Sequence, residues 1–177
     1  TLYKNLAFNF INDTVPVAGV IRTPNVMVVT AALPVKNVEE FIAYCKANPT
    51  KVNMASSGSG SSIHLSGELF KIMTGCKMAH IPYKGAGPAL NDLIAGQVQV
   101  MFDNLPSALP FIKDGRLIPI VIAAPKRLAQ LPNVPTFAEV GLAPANRMAY
   151  YGLLGPAGLP KDVVDKIYAA AQKAVLD

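Results

Sequence analysis

Apolar and polar positions fall in short blocks along this chain, and the period of the blocks keeps changing. Val15–Ile21 and Asn25–Thr30 are runs rich in β-branched residues, separated by Arg22-Thr23-Pro24, and read as strands. After Pro34 the spacing becomes helical: Val38, Phe41, Ile42 and Cys45 share a face, Asn37 stands at the N-cap with Glu40 three residues on, and Pro49 ends the segment. Val52–Ala55 is a strand. A loop follows at 56–62, and then a helix with Leu65, Leu69, Ile72 and Met73 on its apolar face, stopped by Gly75. His80–Tyr83 is a strand that carries Pro82, which lacks a ladder donor, so an edge position is predicted.

The alternation continues in the second half. Lys84–Gly87 is a loop, Pro88 suits the first turn of a helix, and Gly96 closes that helix. Val98–Phe102 is a strand, Asp103-Asn104-Leu105 a loop, and a helix runs from Pro106 to the stop at Gly115. Leu117–Ala123 is another strand, Thr136 with Glu139 predicts a second capped helix ending at Gly141, and Tyr150–Leu154 is a further strand. Gly155–Gly158 is a turn, and Lys161–Leu176 is an amphipathic helix. Strands that alternate with helices predict an α/β fold, an open sheet flanked by helices. The Ser-, Gly- and Asn-rich loops follow strands and open helices, which is the edge where such sheets bind ligands.

Composition narrows the function. Of 177 residues, 51% are hydrophobic and 15% charged, which excludes disorder and permits a sizeable core. No apolar run approaches the roughly 18 residues of a membrane span. The chain starts at Thr1 without a signal-peptide pattern, so its true start is expected upstream. The net charge of +5 is dispersed, with Lys126-Arg127 the one adjacent basic pair and no Trp, so nucleic acid is not expected as a partner. Cys45 and Cys76 fit no metal spacing and read as two unpaired thiols. No cofactor or metal site is predicted.

The chemistry concentrates in three loops. Ser57, Gly58, Ser59, Gly60, Ser61 and Ser62 combine glycines that let backbone approach a ligand with hydroxyl donors and a helix N-terminus, a combination suited to an anion. The alternative is a polar turn with Ser62 as N-cap. The loop matches neither the phosphate-binding Gly-Lys-Ser/Thr pattern nor the dinucleotide fingerprint. His64 reads either as a donor or base for the loop or as a partner for the loop's own backbone. Asp103 and Asn104 form the second group, and Tyr83 with Lys84 the third. His80 reads as structural.

The run from Ser57 to Phe70 resembles the loop and helix of the second lobe in the Bordetella uptake gene family, the extracytoplasmic solute receptors of tripartite tricarboxylate transporters. His80–Gly85, Gly96–Asn104, Leu131–Thr136 and Gly155–Gly158 are similar to further motifs of that family, in consistent order. The resemblance implies a lobe of a type II periplasmic binding protein with remnants of a second lobe. It assigns 31–147 to the ligand-binding second lobe, and 1–30 with 148–177 to hinge strands and a partial first lobe. It further implies a periplasmic, non-enzymatic receptor that captures a small carboxylate, often through main-chain amides and water, and delivers it to membrane permease subunits. Two other readings remain open at this point. One is an effector domain of a regulator, which shares the topology. The other is a serine-dependent hydrolase using Ser61 or Ser62 with His64.

Overall fold

The computed structural model describes residues 5–176, and the side chains of residues 5–175. Residues 1–4 and 177 of the expected first-lobe segments lie outside the described residues. The chain divides into two compact units, Thr23–Ala149 and the pair of segments Thr1–Arg22 and Tyr150–Asp177. The strand at 25–30 belongs inside the larger unit, because it pairs on both sides there.

The larger unit is built on a mixed five-stranded sheet. Its strands are β2 (Asn25–Thr30), β3 (Asn53–Ser56), β4 (Ala79–Pro82), β5 (Val100–Asn104) and β6 (Leu117–Ile122), in the order β4-β3-β5-β2-β6. β3 pairs in parallel with β4 and β5, whereas β2 runs antiparallel to β5 and β6. Pro82 lies on the edge strand β4, where its missing N–H costs no ladder bond. β2 is buried at every position, and its side chains alternate between two cores. Met27 and Val29 face one core, which contains Phe41 of α1 (Val38–Ala47) and Phe70 of α2 (Ser62–Thr74). Val26 and Val28 face the other core, with Leu90 of α3 (Ala86–Ile94) and Ala108 of α4 (Leu105–Lys113).

Local chemistry sets the ends of these elements. Asn37 caps α1 by accepting from the Glu40 N–H at 2.9 Å, and the Glu40 carboxylate reaches back to the Lys36 N–H at 2.7 Å. Gly75 ends α2 in the left-handed region at φ 73°. Thr136 and Glu139 do form the reciprocal cap (2.7 and 3.3 Å), but they close a turn rather than the predicted helix. The helical residues between that turn and residue 149 are the short 3-10 segment Ala143–Ala145.

The face of α2 departs in part from the periodicity reading: Leu69 and Met73 pack against the core, but Leu65 and Ile72 do not. Leu65 and Ile72 are exposed at 54% and 80%, and the buried face is Ile63, Ser66, Gly67 and Phe70. Small residues on that face bring the helix close to the sheet. Asn25 of β2 donates to the Ser66 hydroxyl at 3.1 Å. A Cβ on Gly67 would overlap Met54 Sδ and lie 2.7 Å from its Cε and 3.3 Å from Phe102 Cδ2.

The smaller unit contains a two-stranded sheet of β1 (Thr14–Thr23) and β7 (Ala149–Pro156), followed in the chain by α5 (Lys161–Leu176). Arg22 lies over the Tyr150 ring, 5.0 Å from its centroid. Ile21, Tyr150, Tyr151, Leu153, Leu154 and Tyr168 are exposed and line a groove of about 650 Å³. Among the described residues no helix is long and apolar enough to cross a membrane.

The packing of α2 yields a first prediction. Gly67→Val should destabilise the protein by about 2 kcal/mol, because Met54 and Phe102 are fully buried and cannot yield into solvent. Urea unfolding of the variant against the parent measures the change. An unchanged midpoint would show that α2 does not need this close approach.

Candidate functional site

Three parallel neighbours, β4, β3 and β5, end on the same edge of the sheet. The registers Ser56↔Pro82 and Ala55↔Met101 align those ends. Each strand leads into a helix that starts at this edge: α2 after β3, α3 after β4 and α4 after β5. β2 runs the other way, so its first residue, Asn25, joins the same edge opposite Asn104. The three groups of residues singled out from sequence are therefore brought to one edge. The edge also gathers Asn25 and Ser56, which the sequence reading had not selected.

The loop between β3 and α2 is held by its own hydrogen bonds. Gly58 and Gly60 have φ of 139° and 84°, a region that disfavours side chains. The Gly58 N–H donates to Ser56 Oγ at 3.2 Å, and the Gly58 carbonyl accepts from the Ser61 hydroxyl at 2.8 Å. The Gly60 N–H donates to His64 Nδ1 at 3.1 Å. The Ser61 oxygen accepts from the His64 N–H at 3.2 Å, so Ser61 is the N-cap rather than Ser62. Ser62 is the first helical residue. Ser62 and Ile63 stand in the first turn of α2, where N–H groups have no acceptor within the helix.

Two histidines brace this loop. The rings of His64 and His80 stack with centroids 3.8 Å apart and planes at 12°. His80 Nε2 lies 2.6 Å from Ser56 Oγ. Burial lowers the His80 pKa below its ordinary value, and the neighbouring His64 lowers it further. His64 Nδ1 accepts from Gly60, and its Nε2 faces Glu68 at 3.6 Å. The Nδ1 acceptor is thus already used, and the Ser61 hydroxyl already donates to a carbonyl. The ring therefore offers no base to Ser61 or Ser62, and the hydrolase geometry is not present.

The second loop is tied to the first. The Tyr83 N–H donates to the Ser56 carbonyl at 2.9 Å, and the Gly85 N–H to the Ser57 carbonyl at 3.2 Å. The Tyr83 hydroxyl donates to Asp92 Oδ2 at 2.7 Å. Burial, that hydrogen bond and the Asp92 charge raise its pKa to about 12. Tyr83 thus locks its loop to α3. Lys84 is exposed.

Asp103 and Asn104 do not form the predicted loop. They are the last two residues of β5, and α4 begins directly at Leu105. Asp103 is 0% exposed, beneath the edge rather than on it. Its Oδ2 accepts from the Ser107 hydroxyl at 2.7 Å, and its Oδ1 is buried without a partner among the described residues. Burial raises the Asp103 pKa to about 6, against hydrogen bonds from Ser107 and the Asn104 backbone that lower it. No group of His, Cys, Asp and Glu among the described residues is arranged to hold a metal.

The raised pKa predicts a pH dependence of stability. Between about pH 4 and pH 6 the folded state holds a proton on Asp103 that the unfolded state has released. Stability from this residue is therefore highest below that window and falls as pH rises through it. A shift of this size corresponds to roughly 3 kcal/mol. Urea unfolding at pH 4 and pH 6.5 should show the loss in the parent, and Asp103→Asn should flatten it. A variant that keeps the parent's full slope would place the titrating group elsewhere.

Comparison with known proteins agrees with this architecture. The model of the tripartite tricarboxylate transporter family receptor matches residues 1–177. The protein BugT of Bordetella pertussis is 36% identical over 165 residues, covering 93% of this chain and 51% of its own length. The periplasmic binding protein BugD superposes with a TM-score of 0.93 at 32% identity, covering 99% of this chain and 59% of that one. MatC from Rhodopseudomonas palustris, solved with bound malate, gives 0.92 at 34% identity, covering 99% and 60%. Rpa4515 of R. palustris, solved with adipate, gives 0.89 at 34% identity, covering 96% and 57%. The chain spans about half the length of the curated relatives it matches. In sheet, helices and the motifs of its site edge alike, this chain belongs to the tripartite tricarboxylate transporter family of receptors.

Proposed function

We propose that this chain supplies one side of the binding cleft of a periplasmic receptor that captures a small dicarboxylate and delivers it to membrane permease subunits. The observation that carries the reading is electrostatic. The helices α2, α3 and α4 all start at one edge, and none has an acidic residue in its first turn. The helix that starts at the opposite edge, α1, has Glu39 and Glu40 in that position. Positive helix ends without a competing carboxylate favour an incoming anion. The N–H groups of Ser62 and Ile63 are the donors best placed to meet it. Related structures that hold malate and adipate support the ligand class.

In this reading the unit Thr23–Ala149 is the second lobe, refined from the 31–147 expected by resemblance. The unit of β1, β7 and α5 belongs to a first lobe that a longer protein completes, and its exposed apolar groove supports that assignment. Ser57 through Ser62 form the grip, with His64 and Tyr83 as braces. Lys84 attracts the anion from the rim. Asn104 lines the cleft floor, and Asp103 sets the position of that floor from beneath.

Position 62 offers a clean test. Proline is tolerated at the first helical residue, and Ser61 already has the extended backbone (φ −64°, ψ 160°) that a following proline requires. Ser62→Pro in the full-length receptor thus deletes one N–H and leaves the helix intact. Titration calorimetry with malate and adipate, and with a neutral sugar as control, should show affinity falling about ten- to a hundredfold. Ser62→Ala, which keeps the N–H, separates the hydroxyl from the backbone donor. Undiminished binding by a folded Ser62→Pro protein would overturn the assignment of this donor. Absence of dicarboxylate binding by the parent would overturn the ligand class.

A further inference from the structure

The two cysteines lie far apart in sequence but meet in the core. Cys45 occupies the last turns of α1 and Cys76 follows the end of α2, and they are 0% and 3% exposed. The segment around Cys76 lies against the end of α1. The Cys45 thiol donates to the Lys77 carbonyl at 3.6 Å, and a Cβ on Gly75 would lie 3.9 Å from Lys46 Cε. The two side chains belong to the same buried core cluster. Both are reduced in this structure.

We propose that Cys45 and Cys76 form a structural disulfide when the protein folds in the presence of a disulfide oxidant. Such a bond closes a loop that contains β3, the whole Ser57–Ser61 grip and α2. It removes conformational freedom from the unfolded chain without touching the ligand edge. In the step, one protein thiolate attacks a small disulfide such as glutathione disulfide and expels one glutathione thiolate. The second cysteine then displaces the other glutathione. Two protein thiols lose two electrons and two protons, and one glutathione disulfide becomes two glutathione thiols. Burial, followed by contact with Cys76, pushes the Cys45 pKa up to about 12. The native thiol is accordingly a poor nucleophile, and the bond forms during folding, before the core closes.

The test is refolding of the full-length reduced protein in a glutathione redox buffer, followed by alkylation and tryptic digestion without reductant. The expected product is one cross-linked species joining Asn37–Lys46 to Ile72–Lys77. Reductant should lower the Tm of the refolded protein by roughly 5–10 °C. A double variant, Cys45→Ala with Cys76→Ala, should lose that response. Recovery of the two peptides separately, whether alkylated or as glutathione adducts, overturns the proposal. So does a Tm that ignores reductant.

Discussion

The direction of β2 governs the electrostatics of this protein. It runs antiparallel between β5 and β6 in an otherwise parallel sheet. A helix that follows a parallel strand must begin at that strand's carboxyl end, so α2, α3 and α4 all present N–H groups and positive dipole ends to one edge. The helix that follows β2 must begin at the other edge. The acidic residues follow the same division: Glu39 and Glu40 stand in the first turn of α1, and the three helices that start at the other edge have none in theirs. Had β2 run parallel, the acidic first turn of α1 would have started at the ligand edge and worked against an anion there.

A site built from helix ends needs its backbone held still, since each N–H has a fixed direction. The loop at 57–61 meets that need with side chains. Ser56 and Ser61 satisfy both the N–H and the carbonyl of Gly58, and His64 takes the Gly60 N–H. His80 stacks on His64 and contacts Ser56, which joins β4 to the loop. Once these groups are paired, the donors of Ser62 and Ile63 remain. The serines that looked like ligand contacts in the sequence therefore divide into two kinds: Ser61 builds the loop, and Ser62 is the first residue of the helix.

Much of this was legible in the sequence. β2 and α5 have the bounds that their apolar periods predict, and Asn37 with Glu40 caps α1 as its spacing requires. Legibility failed where large apolar side chains were the wrong guide. On α2 the periodicity of Leu65 and Ile72 pointed to one face, yet contact with the sheet is made by Ser66 and Gly67, whose small size is the reason for the contact. At Asp103 the polar pair suggested a loop, but the strand continues and passes directly into α4. Asn25 and Ser56 were invisible as site residues because their role comes from sheet register and not from any local pattern. The family motifs gather at the edge proposed for the ligand, but they carried no information on which groups within it are already paired.

The distribution of local compromise marks the same edge by a separate route. Asn25 Oδ1 and Asp103 Oδ1 are buried acceptors without partners among the described residues, and they sit on neighbouring strands in adjacent register positions. Leaving such groups unpaired costs about 1–3 kcal/mol each. Three left-handed glycines, Gly58, Gly60 and Gly85, open helices here, whereas Gly75 closes one. At the opposite edge, α1 has a fully reciprocal cap. Selection for stability alone would fill such gaps, and proteins commonly retain them where function requires the geometry. The buried carboxylate is the sharpest instance. Its charge opposes both burial and an incoming anion, yet it takes the Ser107 hydroxyl and the Asn104 backbone and so fixes the junction between β5 and α4. The electrostatic cost at Asp103 is thus the counterpart of a helix end that must not move.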